Sequence, residues 1–105
     1  MELEVDGELV SRQPDAALIT SVIHELAQGA GEYAILSRDD ARFVQTAPGM
    51  APGSFVLEYR DGTQNLHIHC VDPSLGADDV IQAFTHYLQG DDRWLADHAW
   101  ELMNP

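Results

Sequence analysis

The sequence predicts an α+β protein: a mostly antiparallel sheet of four to six strands, with an N-terminal helix and one or two C-terminal helices packed on one face. Three observations carry this prediction. Apolar residues recur at helical spacing twice, once toward each end of the chain. Between those stretches run short strand-forming segments separated by turn residues. No apolar run approaches the roughly 20 residues that a membrane-spanning helix needs. At 105 residues the chain is expected to form one domain, 1–105, around one modest core.

The elements follow in order. Leu3 and Val5 alternate with Glu2, Glu4 and Asp6, and Asp6-Gly7 offers a tight turn into a short return strand from Glu8 to Ser11. Acids on such a segment suit a sheet edge, where charge discourages stray pairing. Pro14 stands where a first helical residue would, and Asp15 adds negative charge to the first turn. Ile19, Val22, Ile23 and Leu26 then fall at i, i+3, i+4 and i+7, one apolar face, before Gly29 and Gly31 end the helix. Tyr33 to Ser37 and Arg42 to Thr46 read as a hairpin turning at Asp39-Asp40. The stretch from Ala47 to Gly53, with two prolines and two glycines, is a loop.

A second hairpin follows, turning at Asp61-Gly62. Phe55, Leu57 and Tyr59 on one strand and Leu66, Ile68 and Cys70 on the other are expected to face the helices. Val44, Val56 and Val71 are expected on the opposite face with His67 and His69. A half-apolar outer face is a contact surface, for instance for a homodimer. Ser74 is the expected cap of a second helix, with Asp78 and Asp79 in its first turn. Val80, Ile81, Phe84, Tyr87 and Leu88 form its apolar stripe, and Gly90 closes it. Asp91-Asp92 open a short third helix carrying Trp94 and Leu95, and Trp100 to Met103 form a last strand or an extended arm.

Eighteen acidic residues stand against five basic ones, all arginine, for a formal net charge of -13. Such a surface repels nucleic-acid phosphates and anionic membranes, so neither is an expected partner. It attracts basic proteins, although solubility alone also accounts for an acidic surface. Cys70, the one cysteine, leaves no intrachain disulfide. The acidic chain start lacks the pattern of a secretion signal. A soluble, cytoplasmic protein is expected.

His67 and His69 are the sharpest candidates for chemistry. On a strand they point to the same side, about 6.5 to 7 Å apart along the chain. Two imidazoles at that separation can share a metal such as zinc, given a third ligand that spacing alone does not select. Two surface histidines on a polar sheet face are the simpler explanation. Cys70 points the other way and reads as a small core residue. The pairs Asp39-Asp40, Asp78-Asp79 and Asp91-Asp92 lack the alternating pattern of a calcium loop. No phosphate-binding loop, nucleophile elbow or CxxC motif occurs, and no cofactor is expected.

Longer stretches carry a resemblance. Ala34-Ile35-Leu36-Ser37-Arg38, Arg42-Phe43-Val44-Gln45-Thr46-Ala47, and Phe55-Val56-Leu57-Glu58-Tyr59-Arg60-Asp61-Gly62 belong to it. So do Asp79-Val80-Ile81-Gln82-Ala83-Phe84, Tyr87-Leu88-Gln89-Gly90-Asp91-Asp92, Trp94, Trp100-Glu101 and Met103. Together they look like small bacterial proteins that are similar to immunity proteins of polymorphic toxin systems. Those proteins pair an N-terminal helix and a central sheet with a C-terminal helix followed by a Gly-Asp and Trp signature. The resemblance covers most of residues 13 to 103. It rests on packing and turn residues, implies the fold more than the function, and carries no catalytic residue.

The expected function is therefore a non-enzymatic acidic binding protein, immunity-like, that inhibits a basic protein partner. Outward acids and the histidine pair are its expected contacts: Glu58, His67, His69, Asp78, Asp79, Asp91 and Asp92. The alternatives are a metal-binding protein or small metal-dependent hydrolase using His67 and His69, and a secretion chaperone.

Overall fold

The computed structural model describes residues 1–103. The chain runs β1 (Glu2–Val5), β2 (Glu8–Ser11), α1 (Ala16–Ala27), β3 (Ala34–Ser37), β4 (Arg42–Pro48) and β5 (Phe55–Asp61). It continues as β6 (Leu66–Cys70), α2 (Ala77–Leu88), α3 (Arg93–Ala96) and β7 (Trp100–Leu102). All seven strands form one sheet in the order β2-β1-β3-β4-β5-β6-β7, and every neighbouring pair is antiparallel. The α+β architecture is as predicted, with one strand more than the upper expectation. Both N-terminal strands join the sheet, and the chain end pairs with β6. No helix among the described residues is long and apolar enough to cross a membrane.

Two of the turns show how local chemistry builds the sheet. Asp6 and Gly7 both take positive φ, the two-residue turn whose twist matches paired strands, and Val5 faces Glu8 across it. The Asp6 carboxylate also accepts the backbone N–H groups of Glu32 and Tyr33, tying the turn to the start of β3. The expected Asp61-Gly62 turn is different. The chain makes one turn of 3-10 helix over Gly62–Gln64, capped by Asp61 and ended by Asn65 in the left-handed region. Asp61 pairs with Leu66 beyond it, so the hairpin loop has four residues rather than two.

The helices lie on one side of the sheet and touch each other. Ile19, Val22, Ile23 and Leu26 of α1 are buried, the stripe its sequence spacing indicates. Val80, Ala83, Phe84 and Tyr87 are the buried positions of α2. Asp15 turns out to be the N-cap of α1, with its carboxylate accepting the Leu18 N–H at 2.8 Å, so Pro14 precedes the helix rather than opening it. Gly76, not Ser74, occupies the N-cap of α2, and the Asp79 carboxylate reaches back to its N–H at 2.9 Å. Ser74 instead donates to Asp72 within the preceding turn.

Leu3, Ala34, Leu36, Val44, Phe55, Leu57 and Cys70 meet the helices from the sheet. Val44 was expected on the opposite face, and the register corrects this. Val44 pairs directly with Tyr59, and directly paired residues share a face. It is completely buried. Leu66 and Ile68 lie on the helix side as expected but are only half-buried, because they approach the β7 edge. There Tyr59, Tyr87, Trp94 and Trp100 stack edge-to-face, with Trp94 fully enclosed. The Arg38 guanidinium lies 4.9 Å over the Tyr87 ring and donates to the Tyr87 carbonyl.

Candidate functional site

With every helix on one side, the other side of the sheet has no covering element among the described residues. The register sorts its side chains into rows. Gln45, Glu58, His69 and Glu101 stand opposite one another across β4, β5, β6 and β7. Phe43, Arg60 and His67 form the next row. On the other flank of the first row, Val56 pairs with Ala47, and Val71 follows Cys70 out of β6. Toward the β2 edge, Glu4 pairs with Ile35 and Glu2 with Ser37.

The sheet therefore brings three of the sequence-predicted site residues together. His67 Nε2 lies 3.6 Å from Glu58 Oε1, and His69 Nε2 lies 3.5 Å from Glu101 Oε2. Both separations exceed a good hydrogen bond but lie within ion-pairing reach when an imidazole is protonated. Glu101 was missed by sequence reasoning. Its alternation with Trp100 and Leu102 was visible, but the pairing that sets it opposite His69 was not.

The four predicted aspartates lie elsewhere. Asp78 and Asp79 begin α2, while Asp91 and Asp92 follow its other end. A 12-residue helix is on the order of 18 Å long, so the two pairs cannot form one cluster. Asp79 is occupied by the Gly76 N–H, and Asp91 by the Arg93 side chain and backbone N–H. The Arg93 guanidinium beside Asp91 holds its carboxyl below the usual carboxylate range. Asp39 is treated alike by Arg42. Asp78 and Asp92 remain exposed.

The donors available to the histidine pair are now explicit. Cys70 points into the core, and His24 and His86 are on helices beyond the sheet. Among the described residues, no group of three or more His, Cys, Asp or Glu side chains is arranged to hold a metal ion. Burial pushes the Cys70 thiol above its ordinary value, which keeps it protonated and unreactive at neutral pH.

Fold and face together define an α+β protein with one helix-covered and one open sheet face, the open one mixing glutamates with aliphatic side chains. Comparison with known protein families, with curated proteins and with solved structures found no match for this chain.

Proposed function

We propose that this chain is a non-enzymatic binding protein that captures a basic protein partner on the open face of its sheet, inside the cell. Its concrete form is an immunity-like inhibitor whose carboxylates occupy the cationic site of a toxin. One observation carries the reading. The strands present Glu2, Glu4, Glu58 and Glu101 on that face; Arg60 stands among them and Arg12 lies 3.9 Å from Glu2, so acids outnumber bases there as they do in a chain of net charge -13. Such a potential speeds encounter with a cationic surface and selects against acidic competitors. The aliphatic side chains between the acids supply contact area that charge alone does not.

The product of the gene adjacent to this one is the partner to test first. Its affinity, measured by titration calorimetry, should fall at least about ten-fold between roughly 50 and 300 mM salt, because screening acts on exposed charges. Glu58→Gln with Glu101→Gln should weaken it further at low salt. Salt-independent binding, or a partner that is itself acidic, overturns the proposal. A second copy of this chain is the competing occupant of the same face, and sedimentation velocity on the isolated protein separates the two.

A further inference from the structure

The open face is not uniform. At the corner where β5, β6 and β7 meet the loop after β4, it dips into a hollow of about 560 Å3. Met50, Val56 and Val71 line its apolar part. Met50 is fully exposed, Val56 is 49% exposed and Val71 40%. His69, Asp72 and Glu101 border it, and no arginine is among its lining residues. Elsewhere the exposed large apolar residues are Leu9 and Val10 on the edge strand β2, and Leu102 on β7.

We infer that this corner is the anchor point for one aliphatic side chain of a basic partner, with an arginine or lysine on either side of it. The inference rests on the binding role proposed above and specifies where that partner is held. The aliphatic group would lie on Val56 and Val71 and remove their surface from water. Met50, unbranched and carried on a loop, can adjust to its shape. Its flanking cations would meet Glu101 on one side and Asp72 on the other. Asp72 accepts the backbone N–H and the hydroxyl of Ser74, bonds that hold its carboxyl below the usual range and keep it ionised. Charge selects the occupant. A second copy would bring another net charge of -13 against these acids, whereas a cationic segment neutralises them.

The test is an NMR titration of the full chain with three capped peptides, Arg-Leu-Arg, Arg-Ser-Arg and Glu-Leu-Glu. Arg-Leu-Arg should give saturable shifts centred on the Val56, His69, Val71 and Glu101 amides. Arg-Ser-Arg should bind about ten-fold more weakly, the cost of losing one well-buried aliphatic contact. Glu-Leu-Glu should give none. Val56→Ser with Val71→Ser should erase the difference between the two cationic peptides, with circular dichroism confirming an intact fold. Equal responses to Arg-Leu-Arg and Arg-Ser-Arg, shifts spread over acids on both layers, or no response at all, would overturn the inference. The two proposals fail separately. If a cationic partner binds the double variant as tightly as the unmodified protein, the anchor is wrong and the binding role stands. If no cationic partner binds with salt-sensitive affinity, the binding role itself falls.

Discussion

Cys70 and the acidic residues show how environment decides what a side chain does. The Cys70 thiol faces the helix layer and is 8% exposed, and burial raises its pKa. It should react slowly with a disulfide reagent at pH 7 in the folded protein and quickly after unfolding in urea. Rapid stoichiometric labelling of the native protein would contradict this placement. The aspartates are mostly consumed locally. Asp15 and Asp79 cap helices, Asp6 and Asp61 shape turns, and Asp39 and Asp91 each hold an arginine. The glutamates on the strands are different, since their carboxylates stand on the sheet surface. Composition lists both kinds of acid alike. Only the structure separates the acids that cap helices and turns from Glu2, Glu58 and Glu101, whose neighbours are the side chains of Arg12, His67 and His69 on the sheet surface.

At the scale of elements, the loop between β4 and β5 shows how much rests on a small residue. Gly49 donates its N–H to the Ser54 carbonyl, and the Ser54 hydroxyl donates to the Ala51 carbonyl, which closes a compact turn beneath Met50. A Cβ on Gly49 would stand 2.5 Å from Ser54 Oγ, closer than side chains tolerate. Gly49→Ala should therefore displace the serine and cost about 1–2 kcal/mol. A lowered urea midpoint with unchanged slope would register that loss, and an unchanged midpoint would show that the loop yields freely. The helices and the β1–β2 hairpin were legible because their signals are local: a 3.6-residue apolar period, or two adjacent residues able to take positive φ. The turn at Asp61 misled for the same reason. Asp-Gly fits a two-residue turn, but here Gly62 donates its N–H to the Ala41 carbonyl of the neighbouring loop at 2.7 Å, a contact no local pattern reveals.

Across the whole molecule, the core couples two phenols to overall stability: burial raises the pKa of Tyr59 and, by a large shift, that of Tyr87. Tyr87 packs beneath Arg38 and among Tyr59 and Trp94, and its buried hydroxyl has no hydrogen-bond partner among the described residues. Burial pushes its pKa from 10.0 up to about 12. The folded value lies above the unfolded one, so the unfolded chain gives up the proton first. The contribution is complete below pH 10 and is lost as pH rises through about 12. Denaturation midpoints should fall across that window, and Tyr87→Phe should make the fall shallower without loss of stability at pH 7, since no bond is removed. An equally steep fall in the variant would assign the effect elsewhere. By itself the sequence determined the fold class, both helical stripes, the acidic balance and the histidine pair, because periodicity and charge belong to residues close together in one chain. Tertiary structure decided that Val44 turns inward, that His69 stands between Glu58 and Glu101, and that Met50, Val56 and Val71 share one hollow. Those arrangements depend on strand register, and register is set by how residues distant in sequence pack against the helices together.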